Sequence, residues 1–205
     1  MKYEWKKLEK ELYGAKKEPA ILQIPSQNFI MLSGKGNPNH PDFSEKVSAL
    51  FSLAYAVKMN FKSVAANSAL SGDITDYAVY PLEGIWKQAD DQAFDKEQLE
   101  YTIMIRQPDF ITGDMVQAAL EKVKIKKPNP YFEEICFGSM SDGACVDILH
   151  IGPFDEEPVS FDKMNQFIKE NNLKRRGQSH REIYLNNLNR VEKSKLKTIL
   201  RYLVE

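Results

Sequence analysis

Apolar and polar residues alternate over His180-Arg181-Glu182-Ile183-Tyr184-Leu185, which predicts a strand with His180, Glu182 and Tyr184 on one face and Arg181, Ile183 and Leu185 on the other. Helical spacing dominates elsewhere. Tyr3, Trp5, Leu8, Leu12 and Tyr13 permit an amphipathic helical arm over residues 1–18, broken by Pro19. Residues 21–32 read as extended chain with a break at Pro25, and Gly34, Gly36, Pro38 and Pro41 mark a loop. Asp42 or Ser44 then caps a helix carrying Phe43, Val47, Leu50, Phe51, Ala54 and Val57. Strands follow at 77–86 and 99–107, separated by an acidic loop at 89–92. Thr112-Gly113-Asp114 opens a helix using Met115, Ala118, Ala119, Leu120 and Val123, which the basic run at 124–127, Pro128 and Pro130 end. Residues 132–137 and 145–151 read as a strand pair joined by a turn containing Ser141-Asp142-Gly143. A helix bearing Phe161, Met164, Phe167 and Ile168 precedes Gly177, and strands are predicted at 178–185 and 195–203.

The two halves share this order of elements. Met31 and Leu149, Gly34 and Gly152, Phe43 and Phe161, and Leu50 and Ile168 are each 118 residues apart. Matched positions on a matched element order predict a duplicated strand-helix-strand-strand module. The expected fold class is α+β: a curved antiparallel sheet with helices on one face and a ligand cleft on the other. The expected organisation is a single domain over 1–205, with an arm at 1–18, a first module at about 20–107, a connecting helix at about 112–127 and a second module at about 132–205. Residues pointing away from the helices, Glu182 and Tyr184 among them, should line the cleft.

Composition narrows the function classes. Twenty-eight Lys and Arg against 29 Asp and Glu leave a net charge of −1, with no bias that would draw nucleic acid or an anionic membrane. Two cysteines, Cys136 and Cys145, are too few for a disulfide scaffold and lack zinc-site spacing, so a reducing cytoplasm is expected. The N-terminus is charged and no apolar run is of spanning length. Nucleophile elbow, phosphate loop and His-Glu-x-x-His motif are missing, and Gly34-Lys35-Gly36 is a turn rather than a dinucleotide fingerprint. His40, His150 and His180 are far apart, and each reads as a hydrogen-bonded surface or strand histidine. No metal and no cofactor are expected.

Candidate chemistry centres on Glu182. A strand carboxylate can be a solvent-facing partner of Arg181, Lys195 or Lys197, a counter-charge for a cationic ligand, or a general base toward water. Tyr184 shares its face and can donate a hydrogen bond to a ligand oxygen, or pack across strands. Trp86, beside Gly84, suits a flat binding wall. If Glu83 matches Glu182 position for position, Trp86 falls on the opposite face unless Gly84 marks a bulge, and Glu83 becomes a second candidate carboxylate. Tyr55, Phe110 and Tyr131 are candidate aromatic walls, the last two because they lie beside breaks in regular structure.

Several segments together resemble the GyrI-like small-molecule-binding family. They are Tyr3-Glu4-Trp5-Lys6-Lys7 with Lys10-Glu11-Leu12-Tyr13, Gly34-Lys35-Gly36-Asn37-Pro38, Leu53-Ala54-Tyr55-Ala56-Val57-Lys58-Met59, Pro81-Leu82-Glu83-Gly84-Ile85-Trp86, His150-Ile151-Gly152-Pro153-Phe154 and His180-Arg181-Glu182-Ile183-Tyr184-Leu185. The resemblance implies the duplicated module, related to effector domains of multidrug-sensing activators. It also implies kinship with a single-domain branch that hydrolyses cyclopropanoid DNA-alkylating compounds with an aromatic cage and a carboxylate. On that likeness Trp86 and Tyr55 would be cage members and Glu182 the acid. The expected function is binding and hydrolytic detoxification of bulky hydrophobic xenobiotics. The alternative is a non-catalytic module that binds cationic or amphiphilic compounds. Either way the partner is a small hydrophobic or aromatic ligand, with no direct nucleic-acid or membrane contact.

Overall fold

A computed structural model describes residues 1–67, 74–87, 95–187 and 190–205. Among the described residues, eight strands and five α-helices run in the order β1 (Lys2–Tyr3), α1 (Trp5–Leu8), α2 (Lys10–Tyr13), β2 (Ala20–Lys35), α3 (Pro41–Asn67), β3 (Asp76–Tyr77), β4 (Leu82–Lys87), β5 (Glu100–Gln107), α4 (Gly113–Lys126), β6 (Cys136–Ile151), α5 (Glu157–Glu170), β7 (His180–Tyr184) and β8 (Lys197–Leu203). The predicted acidic loop at 89–92 lies outside the described residues.

The antiparallel sheet curls until it closes, giving a barrel of order β2-β5-β4-β7-β8-β6, with β6 back against β2. Closure follows from two strands of 16 residues each. Ala20–Met31 of β2 pairs with Cys136–Asp147 of β6, while the far end of β2 pairs with β5 and the far end of β6 with β8. Both were expected to be interrupted, and neither is. Pro25 has no N–H to give, yet the β2–β6 pairing runs on either side of it in one unbroken register, from Ile24↔Gly143 to Ser26↔Ser141. The predicted turn at 141–143 is likewise the middle of β6, although Gly143 takes φ 70°. Turn-favouring residues yield here because Asp142 is drawn inward by two arginines.

That inward pull defines the lumen. Arg201 holds Asp147 by two bonds of 2.8 Å from Nε and Nη2 and donates from Nη1 to Asp142 at 3.1 Å. Arg181 lies 3.0 Å from the other Asp142 oxygen and 3.4 Å from Glu83 Oε2. All five side chains are at most 5 % exposed. Arg181 and Arg201 are direct cross-strand partners, an arrangement like charges oppose unless acids intervene. Burial pushes the Glu83 carboxyl above its usual range, with Arg181 and Arg201 pulling the other way.

The outer face carries the helices. Ile30, Leu32, Ile103 and Ile105 pack under Leu50, Leu53 and Val57 of α3, and Val146, Ile148, Leu200 and Tyr202 under Met164 and Ile168 of α5. A concave sheet face opposite the helices, as expected from the sequence, is replaced by a filled lumen. The arm forms two short helical turns rather than one helix. Trp5 stacks on Tyr80 at 5.6 Å and contacts Tyr13 at 4.7 Å, and Glu9 accepts from Tyr3, Tyr80 and Arg106.

The lumen network supplies a test. Arg201→Met leaves Asp147 and Asp142 short of their shared cation, and removal of one partner of a buried pair costs roughly 3–5 kcal/mol. The urea midpoint should fall accordingly at unchanged slope; a loss under about 1 kcal/mol would mean that the network is not what holds the barrel.

Candidate functional site

Register decides which side chains meet. Gly84 of β4 stands opposite Glu182 of β7, and Trp86 opposite His180. Partners opposite one another in an antiparallel pair project to the same face. Trp86 therefore shares the face of His180, Glu182 and Tyr184 with no bulge. Glu83, opposite Ile183, projects into the lumen, 1 % exposed and bonded to Arg181. The position-for-position match of Glu83 with Glu182 fails in space, because the pairing is offset by one residue and one residue reverses the face.

Glu182 also stands opposite Leu200, whose side chain packs under α5. The candidate site thus lies on the helix-bearing face, between α3 and α5, and not on the face away from the helices. Phe43 of α3 approaches Trp86 at 5.8 Å, and Phe161 of α5 meets the His180 ring edge-on at 4.8 Å.

A line of hydrogen bonds crosses this face. Trp86 Nε1 donates to the Tyr184 hydroxyl at 3.0 Å, which donates to Glu182 Oε2 at 2.7 Å, while His180 Nε2 lies 2.9 Å from Glu182 Oε1. A carboxylate only accepts, so Nε2 is the donor of this bond. Burial, then the Glu182 charge and its hydrogen bond, raise the Tyr184 pKa well above the usual tyrosine value, so the hydroxyl keeps its proton and stays a donor. Gly84 makes the line possible, since a Cβ there would stand 2.6 Å from Trp86 Nε1.

A second carboxyl joins this group. Glu157, in the first turn of α5, is 6 % exposed, and its Oε1 is buried with no hydrogen-bond partner. Burial first, then the charges of Glu182 and Asp155, push its pKa from the ordinary 4.5 up to about 9. A helix N-terminus favours the ionised form by only about 0.3–1 kcal/mol, so burial and like charge prevail.

Beside the line lies a cleft of about 340 Å³ walled by Trp86, Leu99, Phe161, His180 and Tyr202, with Arg175 at its rim. Phe161 stacks on Tyr202 at 5.4 Å, and the Arg175 guanidinium covers the Tyr202 ring at 3.6 Å. Glu182 and Tyr184 are not in that wall. His180, with its side chain 24 % exposed, connects wall and carboxylate.

Of the sequence candidates, the structure brings together Glu182, Tyr184 and Trp86. Tyr55 is 54 % exposed on α3, with Phe51 as its ring neighbour at 6.5 Å. Phe110 packs on Tyr3, Phe61 and Tyr77 beneath the arm, and Tyr131 lies against Lys46. Two members escaped the sequence reading. His180 shared the alternation of Glu182 but read as an ordinary strand histidine, and Glu157 stood in the acidic run Asp155-Glu156-Glu157 with nothing to mark it.

Residues 17–203 match the GyrI-like small molecule binding domain family. The chain belongs to that family. Three crystal structures from Listeria innocua share the GyrI-like fold over the full length. One, of an uncharacterized conserved protein, is 33 % identical with a TM-score of 0.90, covering 99 % of this chain and 100 % of that one. Two described as hydrolases are each 32 % identical, with TM-scores of 0.88 and 0.86, covering 100 % and 99 % of this chain and 100 % of theirs. No curated protein matches this GyrI-like chain. Among the described residues, no helix is long and apolar enough to cross a membrane, and no group of three or more His, Cys, Asp or Glu is placed to hold a metal ion.

Gly84→Ala tests the hydrogen-bonded line. The added methyl displaces the indole, so the Trp86 N–H resonance should shift while that of Trp5, bonded to the Val79 carbonyl at 3.1 Å, stays. Stability should drop by about 1–3 kcal/mol as the buried partners lose one another. Two unmoved indole resonances would show that Gly84 is not what admits the ring.

Proposed function

We propose that this GyrI-like domain binds bulky, largely apolar compounds in the cleft beside Trp86 and hydrolyses an electrophile held there. The observation that carries the reading is the placement of His180, whose ring is part of the cleft wall while its Nε2 rests on Glu182. A buried carboxylate that orients an imidazole from behind leaves the opposite ring nitrogen to take a proton from water. Among the described residues, no hydrogen bond is made by Nδ1. Tyr184 and Trp86 fix the carboxylate in turn, and Trp86, Phe161 and Tyr202 supply flat apolar surface for the ligand. In this scheme Glu182 acts through His180, and Tyr184 holds Glu182 in place. The two Listeria relatives described as hydrolases support the class of reaction.

The concrete substrate we propose is a cyclopropanoid alkylating compound, and the role is detoxification of xenobiotics in the cytoplasm, for which the free thiols of Cys136 and Cys145 are support. With the two-residue β3 set aside, which pairs with β1 outside the barrel, the repeated order strand, helix, strand, strand over 20–107 and 136–203 supports descent from a duplicated module. A second reading, non-catalytic binding of cationic or amphiphilic compounds, is favoured by one observation: among the described residues, neither Glu182 nor Glu157 is ion-paired with a lysine or arginine.

Turnover of a cyclopropanoid by wild type, His180→Ala and Glu182→Gln separates the two. Hydrolysis predicts a loss of about 10²- to 10⁴-fold in kcat for both variants, with affinity for the ring-opened product within a few-fold. Undiminished turnover in both would remove the pair as the base. Binding without chemistry predicts no wild-type turnover, and a Glu182→Gln protein that loses cations but keeps neutral ligands of the same shape.

A further inference from the structure

Among the described residues, Arg175 is a half-buried cation at the cleft rim that no acid neutralises. The fully buried arginines are all matched: Arg106 by Glu9, Arg181 by Glu83 and Asp142, and Arg201 by Asp142 and Asp147. Arg175 differs from them. Burial draws its pKa below the usual arginine value and Tyr202 acts the other way, with no carboxylate among the groups that act on it. Asp162, the acid in the cleft wall, is exposed, and its charge reaches Tyr202 rather than Arg175. An arginine keeps its proton even so, and the charge stays.

The position of this charge is set from both ends of the side chain. Left-handed backbone at Asn172 (φ 56°) and Gly177 (φ 80°) turns the segment between α5 and β7, and Arg175 bridges Val204 just past β8. The N–H groups of Lys174 and Arg176 donate to Glu205 and Leu203, each at 2.8 Å. At the head, Nη2 donates to the carbonyls of Gln178 at 2.5 Å and Ser179 at 3.1 Å, while the guanidinium lies over Tyr202. The rotamer freedom of a long side chain is thus lost on folding rather than on binding.

Donors remain to be met. A guanidinium has five N–H groups, and the two carbonyls use those of Nη2. Nε is buried with no partner, and among the described residues Nη1 forms no hydrogen bond. Holding two carbonyls and covering a ring explains Nη2 and one face of the guanidinium, but neither Nη1 nor the unmatched charge.

We infer that Arg175 determines specificity in the cleft, selecting flat apolar compounds that carry one oxyanion, of which a carboxylate is the simplest. The oxyanion accepts from Nη1 while the rings of the compound lie against Trp86 and Phe161. The inference rests on the cleft being the ligand site and adds the charge of what it takes. A hydrogen bond between two ionised groups is about twice as strong as a neutral one, and at a half-buried rim it is screened less than on an open surface. Asp162 in the same wall opposes a second negative group, and Arg175 itself opposes a cation placed beside it.

The test uses three probes with one ring system and three charges: naphthalene-2-carboxylate, its primary amide, and naphthalen-2-ylmethylammonium. Calorimetric titration of the wild type should give a Kd for the carboxylate about tenfold below that of the amide, with the ammonium weakest. The carboxylate's advantage should shrink at about 0.5 M salt. In Arg175→Gln the carboxylate should lose about tenfold and the amide less than about threefold, while Arg175→Lys keeps part of the preference. Equal losses of carboxylate and amide in Arg175→Gln would overturn the inference, because a residue that only holds the loop serves every ligand alike. The wild-type ranking needs no variant to fold. Carboxylate and amide within about twofold there would overturn the anion preference and leave the cleft reading standing. Binding of none of the three would overturn both.

Discussion

The pull of Arg181 into the lumen is the constraint on which the candidate site depends. Side chains alternate along a strand, so a residue held inside forces its neighbours outside. Arg181 is held by Asp142 and Glu83, and its cross-strand partner Arg201 by Asp142 and Asp147. With Arg181 inside, His180 and Glu182 must project outward, where Trp86 and Phe161 await them. Five charged groups in a six-stranded lumen are costly to desolvate, and hydrophobic replacements of equal volume often serve stability as well. What the charged set adds is register, because a slip of one residue on β7 would separate each partner and turn the acids of the two faces over.

The outer face then depends on apolar cover by α3 and α5. The two helices bury most of it, and where they part the cover falls to single aromatics, Phe43 from one side and Phe161 from the other. A gap between helices over a sheet is a common place for a small-molecule site. The aromatic rings define its width, and Trp86 and His180, the two ends of the hydrogen-bonded line, stand in its wall. Gly84 links the two, since its missing side chain lets the Trp86 indole lie across the strand and reach Tyr184.

Much of this was legible in the sequence, for local reasons. The alternation over 180–185 put His180, Glu182 and Tyr184 together, and helical spacing found the segments that became α3, α4 and α5. Trp86 proved harder, because its face depends on how β4 registers against β7, and a 98-residue separation leaves no local trace of that pairing. Pro25 and Asp142 misled for a related cause. Each is a local break signal, and each was overridden by long-range partners: the β6 pairing on either side of Pro25, and the two arginines that bind Asp142. Sheet closure is non-local as well, since it needs both ends of β2 and β6 to find different neighbours. Glu157 was invisible because burial, not residue type, sets it apart from Asp155 and Glu156.

The polar line and the buried Glu157 respond to burial in opposite ways. Trp86, Tyr184, Glu182 and His180 each satisfy the next, so fixing them costs little once the barrel is closed. Glu157 stands outside that sequence of bonds, and the same apolar cover that orders the line raises the cost of ionising it. A hydroxyl or a lysine beside Glu157 would relieve the strain on folding and would also discharge the acid. Holding such an acid costs the fold some stability at neutral pH, because the unfolded chain gives up the proton at a much lower pH than the folded one.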